Sequence, residues 1–103
     1  IVLYDLNKKQ KKWITRDQYS QRNPQIFDHY LVWMDERRGT SAPDVIENGK
    51  APNSDIFMYD LSTGKESLMT GNEPQILPEI SSEWLAFVTS REVNPVIECI
   101  KYK

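Results

Sequence analysis

The chain of 103 residues has a single cysteine, Cys99, and a single histidine. One cysteine cannot form a disulfide within the chain, so cysteine usage does not identify the compartment. Cys99 stands in the apolar run Val96 to Ile100, and we expect it to be buried as a small apolar side chain.

The chain has no apolar run near the roughly 18 residues that a transmembrane helix needs, so membrane insertion is not expected. No signal-peptide pattern opens it, which indicates either that an export signal has been removed or that the chain is part of a longer one.

The sequence also lacks an excess of charge of one sign. Its 13 basic and 15 acidic side chains leave a net charge of −2. This balance provides no surface for a phosphate backbone, so nucleic acid is not an expected partner. The one local excess is interpreted as a solvated hairpin that protects a sheet edge, and it consists of Lys8, Lys9, Lys11 and Lys12.

Residues that could carry catalysis or bind a metal are sparse. His29 stands in a turn without a Gly-x-Ser-x-Gly motif, although a hydrolytic triad needs a nucleophile, an imidazole and a carboxylate together. Asp44, Glu47 and Asp55 offer oxygen ligands, but the Asp-x-Asp-x-Asp-Gly spacing of a calcium loop is absent. We therefore predict no catalytic, cofactor-binding or metal-binding residues and no cofactor, and we do not expect an enzyme.

The sequence does contain an internal repeat. Residues Tyr4 to Thr15 recur without a gap as Tyr59 to Thr70, at an offset of 59 − 4 = 55 positions. Further along, Pro24-Gln25-Ile26 recurs as Pro74-Gln75-Ile76. A period near fifty that is made of short strands is typical of β-propeller blades. Asp5 and Asp60 occupy the same repeat position, which favours an architectural role for both.

Short runs rich in β-branched and aromatic residues predict an all-β chain. Tyr30 to Met34 and its repeat Trp84 to Val88 are apolar on both alternating faces, so each strand must be covered on two sides. Stacked propeller blades provide that cover. Gly64 is expected to adopt a positive φ in a tight hairpin. The nine predicted strands span residues 1–6, 12–15, 25–27, 30–36, 55–61, 66–70, 75–77, 84–90 and 96–102.

Two connections differ in length between the copies. Residues 16–23 and 39–54 are predicted loops, whereas their counterparts span only 71–73 and 93–95. A long loop without periodicity is usually functional. Trp13, Trp33 and Trp84 occupy hydrophobic repeat positions, which predicts packing between blades rather than stacking on a sugar.

The segment Trp33-Met34-Asp35-Glu36-Arg37-Arg38-Gly39, followed by Asp55 to Glu66, resembles the repeats of TolB-like β-propellers of the archaeal and bacterial surface-protein type. Those repeats read Pro-x-Ile, a turn, a hydrophobic strand ending in Trp-x-Asp-x-Arg, and Asp-Ile-Tyr-x-Tyr-Asp-Leu-x-Thr-Gly. The last copy departs from the pattern, since Thr89 replaces Asp35. The resemblance implies blades of four strands, a to d from the axis outward, and a structural role for Asp35 with Arg37 or Arg38.

The resemblance further implies one propeller segment over residues 1–103, with about two blades of strands. Residues 1–15 would be strands c and d of a partial blade, 24–70 a complete blade, and 74–103 strands a to c of another. Because a propeller closes with roughly four to eight blades, the unpaired edges are expected to join copies of the chain head to tail into a ring or filament. The residues predicted at these self-association edges are Ile1, Val2, Leu3, Tyr4, Trp84, Phe87, Ile97, Cys99 and Tyr102.

The leading functional hypothesis is a non-catalytic structural and protein-binding module of a secreted or cell-surface protein, with a periplasmic location also open. Two alternatives remain. The chain could be the propeller part of a larger hydrolase, or a carbohydrate- or peptide-binding module that uses the loops at residues 16–23 and 39–54.

Overall fold

A computed structural model describes residues 1–38, 54–70, 74–90 and 94–103. These residues form nine strands and no helix, so the all-β prediction is confirmed. Among them, accordingly, no helix is long and apolar enough to cross a membrane. The predicted loop at residues 39–54 lies outside the described residues except for Ser54. The strands are β1 Val2–Asp5, β2 Gln10–Trp13, β3 Gln21–Phe27, β4 Tyr30–Asp35, β5 Asp55–Asp60, β6 Lys65–Leu68, β7 Gln75–Ile80, β8 Trp84–Thr89 and β9 Val96–Lys101.

The strands form three antiparallel sheets that follow one another along the chain. The first sheet is β1-β2, the second is β3-β4-β5-β6, and the third is β7-β8-β9. Every strand pairs with its sequence neighbour within its sheet, as expected for consecutive hairpins. The second sheet therefore has four strands, while the sheets at the two ends of the chain have two and three.

The β1-β2 and β5-β6 hairpins close in the same way. In each, the last residue of the first strand is an aspartate, Asp5 or Asp60, whose Oδ1 accepts a hydrogen bond from the backbone N–H two residues further on at 2.9 Å. The left-handed backbone position is held by Lys9 (φ 52°) in the first hairpin and by Gly64 (φ 74°) in the second. The predicted positive φ of Gly64 is confirmed, and the two aspartates serve to fix turns.

The second sheet is covered on both faces, as its apolar pattern predicts. Leu31, Trp33 and Phe57 form one core cluster, against which Ile1 and Ile14 of the first sheet region pack. A second core cluster on the opposite face joins the second and third sheets, and it consists of Val32, Ile56, Met58, Leu85 and Phe87. We call the face of a sheet toward the next sheet along the chain its forward face, and the opposite face its rear face.

Hydrogen bonds repeat at the same offset as the sequence. The backbone N–H of Ile14 donates to the carbonyl of Ile1 at 3.0 Å, and the N–H of Met69 donates to the carbonyl of Ile56 at 2.8 Å. Both pairs are separated by 55 positions, since 56 − 1 = 55 and 69 − 14 = 55. Ile1 and Ile56 also lie on forward faces. The repeat therefore extends from sequence to hydrogen bonding and to the choice of buried face.

The strand registers show which residues of β3 and β7 are equivalent. Gln21 pairs with Asp35 in the second sheet, and Gln75 pairs with Thr89 in the third. The ladders are interrupted by a register shift after the second pair in both sheets. Because 75 − 21 = 54 and 89 − 35 = 54, β3 and β7 are structural equivalents at an offset of 54.

This register corrects the sequence alignment of Pro24 with Pro74. Pro24 is equivalent to Pro78 instead, and each follows a residue with a positive φ of 54°, Asn23 or Leu77. β3 begins at Gln21, so part of the predicted loop at residues 16–23 is strand. The connections before β3 and β7 then hold similar numbers of residues, and the predicted difference in their length was an error of alignment.

Candidate functional site

The two end sheets each leave one face without a neighbour among the described residues. The rear face of the first sheet carries Val2, Tyr4 and Trp13, all exposed. The forward face of the third sheet carries Trp84 and Ile97, also exposed. Ile97 is 74% exposed, whereas Ile56, at the corresponding place on the second sheet, is fully buried. The end faces are therefore exposed apolar surfaces, whereas the corresponding surface of the second sheet is buried.

The end sheets also have open strand edges. The N–H of Ile14 donates to Ile1 and the N–H of Tyr102 donates to Glu83 at 3.0 Å, which fixes the phase of each ladder. Since hydrogen-bonded pairs in an antiparallel ladder recur every second residue, the N–H groups of Val2 and Tyr4 point away from β2. By the same alternation, those of Ile97 and Cys99 point away from β8. β1 and β9 thus each offer an edge to a further strand.

A groove of about 250 Å³ runs beside the open edge of β1. One wall is β1, and the other is the rear face of the second sheet near Pro24, Ile26 and Leu31. Ile26 is 53% exposed, whereas its equivalent on β7, Ile80, packs against a core cluster. Sequence reasoning missed Pro24 and Ile26 as lining residues, because the alignment of Pro24 with Pro74 concealed the equivalence of Ile26 and Ile80.

The predicted self-association residues differ in how deeply they are buried. Ile1 and Leu3 are half-buried on the side of the first sheet that meets the second. Phe87 is buried against the second sheet. Tyr102 packs edge-on against Tyr30 with a centroid separation of 5.1 Å, and its hydroxyl donates to the carbonyl of Ser81. The exposed members of the set are Val2, Tyr4, Trp84, Ile97 and Cys99.

The predicted burial of Cys99 is wrong, because its thiol lies on the exposed forward face of the third sheet. The tryptophans also differ from one another. Trp33 is fully buried, whereas Trp13 and Trp84 are 47% and 48% exposed. Burial between sheets therefore holds for Trp33 alone within the described part of the chain. The guanidinium of Arg16 lies 4.7 Å from the centre of the Trp13 ring.

Asp35 and Arg37 form the most extensive polar network in the second sheet. Asp35 is fully buried, and its Oδ2 accepts hydrogen bonds from Trp33 Nε1 at 2.9 Å and from Arg37 Nη2 at 2.7 Å. Arg37 also lies over the ring of Phe57 at 4.1 Å and pairs with Glu66. The network joins the end of β4 to β5 and β6, which agrees with the structural role that the resemblance implies for Asp35 and Arg37.

Two buried carboxyls of this region have opposite pKa shifts. Burial acts to raise the pKa of Asp35, but the hydrogen bonds from Arg37 and Trp33 outweigh it and lower the pKa below its ordinary value. Burial raises the pKa of Asp55, which Arg38 offsets only in part from 3.8 Å. Asp55 Oδ1 is buried and has no hydrogen-bond partner within residues 1–38, 54–70, 74–90 and 94–103. The two carboxylates are thus stabilised very differently, although they are paired across β4 and β5.

His29 lies in the turn between β3 and β4. Its Nδ1 is 2.9 Å from Asp28 Oδ2, and its ring contacts that of Tyr30 at a tilt of 36° with a centroid separation of 4.1 Å. Asp44 and Glu47 lie outside the described residues. Among the described residues, no group of three or more histidine, cysteine, aspartate or glutamate side chains is placed to hold a metal ion.

The hairpin formed by β1 and β2 is rich in positive charge. The four lysines of the cluster are all exposed, as predicted. Together with Arg16 and Asp5 they give residues 1–16 a net charge of 5 − 1 = +4. The rest of the chain carries −2 − 4 = −6. Most of this negative charge lies in residues 17–73, which carry 5 − 10 = −5, whereas residues 74–103 carry 3 − 4 = −1.

No protein-family model matches the chain, and no curated protein matches it either.

Proposed function

We propose that the chain is a non-catalytic structural segment of a β-propeller that binds protein, and that its most favoured partner is a second copy of itself joined head to tail. The observation that carries the proposal is the pair of open strand edges on β1 and β9. Open edges of this kind pair with strands of other chains. A head-to-tail contact is heterologous, so it gives a ring or a filament.

The repeat supports the propeller assignment. Each sheet packs its forward face on the rear face of the next, and equivalent residues are used at each junction. Ile1 and Ile14 meet the second sheet, while their equivalents Ile56 and Met69 meet the third. A regular succession of antiparallel sheets that cover each other's faces is how propeller blades bury strands that are apolar on both sides. A secreted or cell-surface location follows only from the resemblance to surface-protein repeats.

The position of β9 restricts how two copies can join. β9 pairs with β8 along its whole length, from Trp84 with Lys101 to Thr89 with Val96. The third place in the last sheet is therefore filled by the chain's own strand. A second copy must add to the outer edge of β9 rather than to β8.

Edge pairing is tested by removing single N–H groups from β9. In Cys99→Pro the lost N–H points outward, whereas in Glu98→Pro it points toward β8 and is part of the ladder. We expect the unsubstituted chain to form oligomers in analytical ultracentrifugation under reducing conditions. Cys99→Pro should remain folded by circular dichroism but be monomeric.

Glu98→Pro is the matched control for damage to the sheet, and it should lose third-sheet structure. A Cys99→Ser variant controls for loss of the thiol, and it should assemble more strongly than Cys99→Pro because it keeps the outward N–H. A well-folded unsubstituted chain that stays monomeric at all accessible concentrations would contradict the proposed function.

Sugar binding is a second candidate, because Trp13 and Tyr4 are exposed together beside Lys11 and Arg16. An aromatic surface with adjacent cations suits an acidic polysaccharide. A glycan array with the unsubstituted chain and Trp13→Ala tests this. Binding that survives the substitution would exclude this surface.

A further inference from the structure

The groove beside β1 occupies the position of a missing neighbour strand. In the second sheet, β5 is the equivalent of β1, and β4 pairs with it along six residues. In the first sheet, β1 pairs with β2 on one side only. On its other side lies the groove, whose floor is formed by Ile26 and Leu31 of the second sheet. A strand placed there would gain both a ladder and an apolar surface.

The groove offers both hydrogen-bond donors and apolar contacts to an extended segment. The outward N–H groups of Val2 and Tyr4 supply the hydrogen-bonding edge, while Pro24, Ile26 and Leu31 supply the apolar contacts. Strand addition of this kind takes its affinity from main-chain hydrogen bonds and its specificity from alternate side chains. The fitting ligand is therefore a strand with apolar residues at every second position.

β9 has the required pattern. Ile97 and Cys99 are two residues apart and exposed on the forward face of the third sheet. Their N–H groups point away from β8, so their backbone is available to a new partner. The rear face of the third sheet already packs on its own second sheet through Leu85 and Phe87. The forward face can thus meet the groove of another copy without displacing a sheet formed by the described residues.

Charge favours this pairing over a contact between two heads. Residues 1–16 carry +4, so two such hairpins repel each other, whereas residues 74–103 carry 3 − 4 = −1 and meet the hairpin without such repulsion. Like charges placed opposite each other are unfavourable at an interface, so a contact between two heads is disfavoured. A lone apolar face would not distinguish these arrangements, but the charge distribution does.

We propose that the groove lined by Ile1, Val2, Leu3, Pro24, Ile26 and Leu31 binds strand β9 of a second copy, with Ile97 and Cys99 directed into it. This inference rests on the proposed self-association and names the two surfaces that meet. β9 of one copy thereby extends the first sheet of the next, and the rear face of that copy's second sheet covers the forward face of β9.

The test uses one substitution in the groove and one on the strand. Ile26→Lys places a charge in the groove at a half-exposed position, and Ile97→Lys does the same on β9. We expect either variant to weaken association by about 30-fold or more, as when an apolar anchor at the centre of an interface is lost. Leu6→Lys is the matched control, because Leu6 is 81% exposed and lies outside the groove. It should associate like the unsubstituted chain.

Mixing the variants tests the head-to-tail geometry. Ile26→Lys retains an intact β9, and Ile97→Lys retains an intact groove. An equimolar mixture should therefore form one-to-one heterodimers in sedimentation velocity, while each variant alone stays monomeric. If Ile26→Lys alone dimerises as strongly as the unsubstituted chain, the groove is not the binding site. That result leaves the proposed self-association intact and overturns only the present inference.

A peptide of residues 94–103 tests the groove even if the chain itself proves monomeric. It should bind the unsubstituted chain, fail to bind Ile26→Lys, and lose binding when Ile97 of the peptide is replaced by lysine. Absence of binding to a folded, monomeric chain overturns the inference. Binding of the unsubstituted peptide to monomers supports the groove as a strand receptor, even though self-association of the whole chain then fails.

Discussion

Replacing Asp35 by asparagine should destabilise the protein by about 2–4 kcal/mol, because Asp35 is the buried centre of the network at the end of β4. Its Oδ2 accepts from Trp33 Nε1 and from Arg37 Nε and Nη2, while its Oδ1 accepts from the Arg37 backbone N–H. An asparagine amide must turn its NH₂ toward at least one of these donors. An unsatisfied buried group costs about 1–3 kcal/mol, and breaking a buried ion pair costs about 3–5 kcal/mol.

The loss should fall in the lower part of the expected range of about 2–4 kcal/mol, because Arg37 is partly exposed and keeps Glu66 as a partner. The measurement is urea unfolding followed by tryptophan fluorescence, with the midpoint compared at equal slope. Glu66→Gln is the matched control, since it removes the more exposed partner of Arg37 and should cost less than about 1 kcal/mol. A change below about 0.5 kcal/mol for Asp35→Asn, the size of an ordinary surface substitution, would refute the reasoning.

The pH dependence of the same variant follows from the direction of the pKa shift. The pKa of Asp35 is lowered in the folded state by its hydrogen bonds with Arg37 and Trp33. Its stabilising contribution is therefore present above the unfolded pKa and is lost as the pH falls through the folded pKa. The difference in free energy of unfolding between the unsubstituted chain and Asp35→Asn should shrink on acidification below the ordinary aspartate pKa.

Three further substitutions test individual features. Thr89→Val should raise stability by about 1 kcal/mol in urea unfolding, because Thr89 Oγ1 is buried without a partner among the described residues; a loss of stability would indicate an acceptor for this hydroxyl. Asp55→Asn should stabilise at neutral pH, since burial raises the folded pKa of Asp55 and the charged form is disfavoured. This gain should vanish in thermal melts as the pH falls below the ordinary pKa, and a constant gain would contradict it. Gly64→Ala should cost about 1 kcal/mol in the same melts, because φ is +74°, and no change would mean that the turn relaxes.

Local features of the fold could be predicted from the sequence because they depend on neighbouring residues. Gly64 allows the tight turn of a hairpin. Residues Tyr30 to Met34 form a strand that is apolar on both faces, so each face must pack against a neighbour. Strands β3 and β7 could not be aligned from the sequence, because Pro24-Gln25-Ile26 and Pro74-Gln75-Ile76 are identical but are not structural equivalents. The true equivalents share three identities spread over six positions, Gln21 with Gln75, Pro24 with Pro78, and Ile26 with Ile80. Only the register against β4 and β8 decides between these alignments.

The candidate site was harder to predict, because exposure on a sheet depends on whether a second sheet lies over it. Cys99 stands in an apolar run that reads as buried, yet its face meets no described sheet. Phe87 stands in a similar run and is buried on the other face. Alternation assigns these residues to opposite faces, but it does not say which face has a neighbour. That information lies in sequence-distant contacts such as those between Val32 and Leu85.

The distribution of polar contacts bears on the proposed association through the end sheets. The ion-pair network of Asp35 and Arg37 ties β4 to β6 within the second sheet, and Thr89 occupies the position of Asp35 in the third sheet. Ile1 and Ile14 pack the first sheet on the second, and Leu85 and Phe87 pack the third sheet on it. Hydrogen bonds between Ser54 and Gln75 also join the second and third sheets. None of these polar contacts involves β1 or β9, so the proposed addition of a strand to either outer edge need not break them.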